Sequence, residues 1–309
     1  MSQMKAIVDK LLTDVSVGYF PEGYIADQIL PFKKVMQESG LIGTYGKDHL
    51  RIERSFTGGR GKYRTVESTA KSSSSYLVES HGLADLVTEA DYRNVEQPFD
   101  AEADAVLGLT SKIMLEKEKV IADALGSISV LTQNVTLVGA DQLNDFTNSD
   151  PLGVFLTARK AVYDGCGLPP NKAIISWDVM NTLAYHPAIL QALGFAQNRA
   201  GQLSAEELAK AMGVEKLLIG KVKYNSGAEG ATDVLSSVWG KNIVMYYAPD
   251  TIGKRQMSLG AQVGFSDQRR VFKNAVNNPP NSVEVLVDDH YDWVIVDGKA
   301  GYLIKDAIA

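Results

Sequence analysis

Residues 100–126 read DAEADAVLGLTSKIMLEKEKVIADALG, and the rest of the chain is best read outward from this stretch. Asp100 suits the N-cap, where a short oxygen-bearing side chain accepts a free amide of the first turn. Glu102 and Asp104 stand where the aligned peptide dipoles favour negative charge. Val106, Ile113 and Val120 recur every seven residues, as do Leu107, Met114 and Ile121. That spacing predicts one continuous apolar stripe on a single helix. Lys117 and Lys119 lie toward the far end, and Gly126 supplies the stop. At 1.5 Å per residue the helix is about 39 Å long, enough to be a spine for the whole fold.

Upstream, residues 47–71 read as a β-hairpin. Leu50, Ile52 and Phe56 alternate with Arg51, Glu53 and Ser55, and Lys62, Tyr63, Arg64, Thr65 and Val66 return. Thr57-Gly58-Gly59-Arg60-Gly61 is the turn, its glycines meeting the need for positive φ. Arms of ten residues reach about 34 Å, whereas a compact body of this size has a radius of gyration of about 19 Å. A two-stranded ribbon is marginal in water by itself, so this one needs a surface to rest on.

The remaining segments follow simpler patterns. Residues 1–43 open with a short helical pattern (Ile7, Leu11, Leu12) and pass into a loop punctuated by Gly18, Pro21, Gly23 and Pro31. Its scattered aromatic and aliphatic residues have little periodicity, so the segment must lie on another surface, its own or a neighbour's. From 130 to 250 helices and strands alternate. Pro151 starts a helix ending near Gly165 and Gly167, Lys172–Trp177 is a buried strand, and Asp178 and Pro187 open two short helices. Ser204 with Glu207 forms a capping box. Strands follow at 216–224 and 238–248. The tail returns to β: alternation at Leu259–Phe265 and Val283–Val287, then Tyr291–Val296, the turn Asp297-Gly298, and Tyr302–Ile304.

A length of 309 residues suggests about two domains. With 45% apolar and 22% charged residues the chain is ordinary for a globular protein, which excludes wholesale disorder. A net charge of -6 argues against a body that coats nucleic acid. One cysteine, Cys166, excludes an internal disulfide framework and a Cys-rich zinc site. Lys5, Asp9 and Lys10 interrupt the N-terminal apolar residues, so no signal-peptide core is present there. The longest strongly apolar run, Ile243–Ala248, falls far short of the ~20 residues that cross a bilayer. The sequence therefore reads as a soluble, non-secreted protein.

The search for chemistry comes back empty. Gly58-Gly59-Arg60-Gly61-Lys62 lacks the phosphate-loop spacing, since Phe56 and Tyr63 stand where that motif needs Gly and Ser or Thr. Asp288, His290 and Asp292 would share one face of a strand, as a divalent metal requires; the simpler reading is a polar connection between two strands. Cys166 could pair with His186 as a thiol nucleophile, but Gly165-Cys166-Gly167 reads as a helix exit. His49, His81 and His186 have no ligand-like spacing. No catalytic residue, cofactor or metal site is expected, and the chain reads as structural rather than enzymatic.

Charge is more informative. Residues 47–71 hold seven basic side chains and three acidic ones, whereas 79–104 hold eight acidic ones and only Arg93. A positive arm (Arg51, Arg54, Arg60, Lys62, Arg64) and a negative region (Glu89, Asp91, Glu96, Asp100, Glu102, Asp104) on one chain suit head-to-tail association between copies. The alternative is a solvated hairpin beside a solvated helix start.

The order of a loose arm, a long hairpin, a spine helix, a mixed αβ domain and a β tail resembles the major capsid proteins of tailed bacteriophages, with the Hong-Kong-97-like (Johnson) fold. Tyr76-Leu77-Val78-Glu79-Ser80-His81-Gly82-Leu83 leads into the acidic segment and spine as in that family. Lys221-Val222-Lys223-Tyr224-Asn225, Trp239-Gly240-Lys241 and the ending Ala300-Gly301-Tyr302-Leu303-Ile304-Lys305-Asp306-Ala307 also look like it. The resemblance spans essentially the whole chain.

It implies an α+β fold with an N-arm (1–43), an extended β-hairpin loop (44–80), a peripheral domain with the spine helix (81–129 and 271–309) and an axial domain (130–270). It implies a head protein that self-assembles into hexamers and pentamers of an icosahedral shell around double-stranded DNA, in a virion assembled in the host cytoplasm. Its partners would be other copies, a portal, scaffolding or decoration proteins, and packaged DNA contacted non-specifically, with no membrane. No long helical scaffolding segment precedes the N-arm, so scaffolding would be a separate protein or a removed piece. Some members weld subunits by a Lys–Asn bond; Lys62 or Lys71 could face Asn277 or Asn278, but no motif fixes that pairing. Two alternatives remain: an encapsulin-type nanocompartment shell, and a soluble αβ enzyme using the hairpin as a lid.

Overall fold

The computed structural model describes residues 7–19, 21–44, 52, 55–56, 63, 72–94, 100–194, 203–228, 230–251, 257–265, 269–276 and 281–309. The chain begins with strand β1 (Ile7–Val8) and helix α1 (Lys10–Gly18), whose Asp9 N-cap accepts the Leu12 amide. A single turn, α2 (Ala26–Ile29), leads to strands β2 (Phe32–Lys34) and β3 (Ser39–Thr44). After β4 (Ser72–Leu77) and β5 (Glu79–Val87) come α3 (Glu89–Asn94) and the spine α4 (Ala101–Leu125).

The second half holds β6 (Asn134–Thr136), α5 (Pro151–Cys166), β7 (Lys172–Ser176), α6 (Trp177–Ala184), α7 (Pro187–Ala192) and α8 (Ala205–Met212). Strands β8 (Lys216–Gly220), β9 (Lys223–Asn225), β10 (Leu235–Ser237) and β11 (Ile243–Tyr246) follow. Strands β12 (Gly260–Gly264), β13 (Arg270–Val276), β14 (Ser282–Ile295) and β15 (Gly301–Lys305) close the chain.

The strands form two main sheets and two ribbons. In the six-stranded sheet the order is β1-β13-β14-β12-β2, with β5 also on β14; the five-stranded sheet runs β6-β15-β11-β7-β8. Thus β15, near the end of the chain, lies among strands from residues 134–246, while β12 lies beside β14 and the N-terminal β2. Sheet membership crosses residue 270 in both directions. The Asp288–His290 stretch is not a connection between strands: β14 runs through it as part of its 14 residues, and the charges there find partners on β13 and on the spine. The expected strands at 216–224 and 238–248 are shorter than the pattern suggests, because Trp239-Gly240 is a turn with Gly240 at φ 57°.

The spine serves both sheets. Its first half packs Val106, Leu109 and Ile113 against Val271, Val285 and Val287 of the six-stranded sheet. Its last turns, Ile121, Ala122 and Leu125, join a larger core with the five-stranded sheet and with Phe155, Ala158 and Val162 of α5. Asp100 caps it as expected, accepting the Glu102 amide. The seven-residue stripe fails at its third repeat: Ile113 and Ile121 are buried, but Val120 is 45% exposed. A straight helix drifts about 20° per heptad, which carries the seam off Val120 and onto Lys117 and Glu118. Gly126 ends the helix with an ordinary right-handed φ of -80°, unlike Gly167 and Gly213, whose positive φ closes α5 and α8. The capping box of Ser204 and Glu207 is present on α8.

The difference between the stripe and the helix is measurable by denaturant unfolding. Ile113→Ala or Ile121→Ala is expected to cost about 2–5 kcal/mol through the cavity each leaves. Val120→Ala is expected to stay within about 0.5 kcal/mol of wild type.

Candidate assembly interface

Two adjacent charges in the spine organise the segments that could meet a neighbour. Glu118 is fully buried. Its carboxylate accepts the Ile25 amide at 3.0 Å, the Ala26 amide at 2.7 Å and the Trp239 indole N–H at 2.6 Å. Burial pushes the Glu118 pKa up, and these three donors pull against that shift. One carboxylate therefore pins the N-terminal arm and the five-stranded half of the molecule to the same turn of helix.

Lys117, also buried, pairs with Asp27 of α2 at 2.6 Å and lies 3.8 Å from Asp289 of β14. Its ammonium sits 4.7 Å from the centre of the Tyr291 ring. The segment so held behaves as the sequence requires of an aperiodic apolar stretch: Ile25, Ala26, Ile29 and Leu30 sink into the chain's own core. The Tyr246 hydroxyl donates to the Ile29 carbonyl, and the Gln262 amide to the Pro31 carbonyl.

From this strap the chain runs through β2 into β3, which pairs antiparallel with β4 from Ser39↔Leu77 to Thr44↔Ser72. The chain leaves at Thr44 and returns beside it at Ser72. Ile42 and Val78 root this ribbon on Ala261, Val263 and Val294. At Gly40 the Tyr76 ring fills the space a side chain would occupy, with its hydroxyl 2.6 Å from where a Cβ would stand. That close approach requires glycine and fixes the register. Arg51, Arg54, Arg60, Lys62 and Arg64, the turn at 57–61, and Lys71, Asn277 and Asn278 lie outside the described residues. Of the same stretch, Ile52 (97%), Phe56 (81%) and Tyr63 (90%) are almost wholly exposed.

The acidic candidates have individual roles. Asp100 caps the spine, and Asp91 accepts the Thr88 amide and hydroxyl, which hold its carboxyl below the usual range. Glu102 takes the Tyr92 hydroxyl at 2.6 Å and pairs with Lys273, which also reaches Asp9 at 3.1 Å. Glu89 pairs with Arg93 and accepts from Asn281. Asp104 is exposed, and Glu96 lies outside the described residues. Four of the five described carboxylates thus bond within their own chain, two of them as ion pairs with Arg93 and Lys273.

Other chemistry candidates resolve into structure. The Arg270 guanidinium lies 3.1 Å from Asp288, whose carboxylate is 2.8 Å from His290 Nε2, while Asp292 accepts the Leu77 amide. A cation of the chain itself occupies the face on which a metal was considered. Among the described residues no cluster of three or more His, Cys, Asp or Glu suits a metal. Cys166 is buried at the end of α5, and His186 caps α7 and contacts Ser149, so they form no thiol–imidazole pair. No described helix is long and apolar enough to cross a membrane.

No protein-family model matches the chain. It is 28% identical over 252 residues to the major capsid protein of Burkholderia phage BcepMu, covering 81% of this chain and 79% of that one. A phage-related protein from Bordetella bronchiseptica RB50 superimposes with a TM-score of 0.75 at 24% identity, over 98% of each chain. The capsid of cyanophage P-SCSP1u matches at 0.53 and 10% identity, over 99% of this chain and 92% of that one. The fold is the Hong-Kong-97-like fold of phage capsids.

Glu118 gives a pH signature. With its folded pKa raised by burial, its contribution to stability is fullest below the unfolded value of about 4.3 and declines as pH rises through the folded value. Glu118→Gln is expected to cost about 1–3 kcal/mol by mismatching a donor. In chemical denaturation the gap between wild type and this variant should be wider at pH 4 than at pH 7.

Proposed function

We propose that this chain is the major capsid protein of a tailed phage, a shell subunit whose activity is association with its own copies. What supports the reading most is the likeness to a phage major capsid protein running along most of both chains. The almost wholly exposed apolar residues at 52, 56 and 63 give it a physical basis. Each subunit is held by several neighbours at once, so contacts that are weak singly become strong together.

In this reading the subunits form hexamers and pentamers of an icosahedral head around double-stranded DNA, completed by a portal and by scaffolding or decoration proteins, and assembled in the host cytoplasm. The six-stranded sheet with the first half of the spine is the peripheral domain. The five-stranded sheet with its helices, including β15, is the axial domain near capsomer centres. The segment between β3 and β4 is the extended loop, laid on a neighbour so that Arg51, Arg54, Arg60, Lys62 and Arg64 face the carboxylates of 89–104. The same fold would serve a nanocompartment, and content separates the two.

Electron microscopy of the purified protein should show closed shells, with nucleic acid as the native content. Shells filled with a protein cargo would move the reading to the compartment, and a persistent monomer would end both. Reversing charge at Arg51, Arg54 and Arg64 should leave a folded subunit that assembles at least ~10-fold more slowly at low ionic strength, the deficit shrinking above the salt at which such charges are screened. Equal assembly at every salt would discard the electrostatic docking.

A further inference from the structure

The two legs of the segment between β3 and β4 reach the body by different routes, and both routes end at Lys117. The ingoing leg descends from α2 through β2, and Asp27 of α2 is the 2.6 Å partner of the Lys117 ammonium. It is anchored next by the Val35 amide, which donates to the Gly264 carbonyl. The outgoing leg returns through β4 and continues as β5. The Leu77 amide donates to Asp292 at 2.9 Å, and the Val78 amide to the Glu38 carbonyl at 2.8 Å. Strand β5 then pairs with β14 at Glu79↔Tyr291 and His81↔Asp289.

Those two β14 residues are the ones Lys117 meets. Asp289 is 3.8 Å from its nitrogen, and the Tyr291 ring lies 4.7 Å away while stacking on His81 at 4.3 Å between centroids. The ingoing leg also reports to the same place through Gln262, whose amide nitrogen donates to Asp27 at 3.4 Å. A buried ammonium demands compensation from every side, and here the compensating groups come from the approach to each leg.

We propose that Lys117 is a positioning residue for assembly: a single buried cation that ties both strands of the β3–β4 ribbon to the spine and so sets the ribbon's bearing toward the next subunit. This rests on the shell-subunit reading for its purpose but not for its structural content. The aliphatic residues of the strap bury it independently, so Lys117 directs the ribbon rather than holding the domain together.

The test uses the full-length chain with Lys117→Met, which keeps the length of the side chain and removes the charge. Hydrogen exchange at the Val35, Leu77 and Val78 amides should quicken by about tenfold or more, while Ile174 and Val244 in the five-stranded sheet stay within about twofold of wild type. Because Lys117→Met strands two carboxylates, the double variant Asp27→Asn with Lys117→Met is made beside it. That pair should recover most of the melting temperature yet still assemble about tenfold more slowly than wild type, since stability returns and aim does not.

Uniform loss of protection across both sheets would assign Lys117 an ordinary structural role and overturn the proposal. So would a double variant that assembles like wild type. Failure of the wild type itself to form particles would sink the shell reading alone, and the exchange pattern would still decide what Lys117 does.

Discussion

The placement of the N-terminal strap and of the β3–β4 ribbon depends on the burial of two neighbouring opposite charges in the middle of one helix. An ion removed from water costs several kcal/mol even after relaxation, so Lys117 and Glu118 are tolerable only if partners are brought to them. Those partners are distant in sequence: the amides of Ile25 and Ala26, the carboxylate of Asp27, the indole of Trp239 and the carboxylate of Asp289. Satisfying one turn of helix thus orients the N-terminal strap against the five-stranded half and the long strand β14. Apolar packing on either side would keep each half together, but it would not by itself specify where the strap lies.

That arrangement divides the molecule into a settled body and an unsettled margin. The body has its sheets covered by the spine and by helices α5 to α8, with cores of aliphatic residues that need nothing from outside. The margin leaves Ile52, Phe56 and Tyr63 in solvent, next to a ribbon whose root is tightly registered by Gly40 and Tyr76. A firmly rooted ribbon suits a part that must meet a sister molecule at a defined place. Most of the carboxylates around α3 and the start of the spine are likewise held by the chain's own donors.

Much of this could be read from residues alone where the cause is local. The Asp100 cap, the Ser204–Glu207 box and the helix exits at Gly167 and Gly213 follow from chemistry within a few positions. The strap had to seek a surface because its apolar residues lack a period, and its own chain supplies that surface. What local reasoning missed is long-range. The seven-residue stripe drifts off Val120 and onto two charges, of which Lys117 reads from sequence as an end-of-helix charge and Glu118 has no assigned part. Their position three and four residues after Met114 was the available signal. The continuity of β14 through Asp288–His290 depends on backbone pairing with β13 and β5, and the placement of β15 among strands of residues 134–246 depends on pairing between distant segments; neither is encoded nearby.

The account's central claim is that a single copy is incomplete and is finished by others like it. Sedimentation velocity of the purified full-length protein across a wide concentration range tests this most directly. The account predicts conversion from subunits or capsomers to one fast-sedimenting closed species as concentration rises. A single monomer at every concentration, with the frictional ratio of a compact sphere, would contradict it.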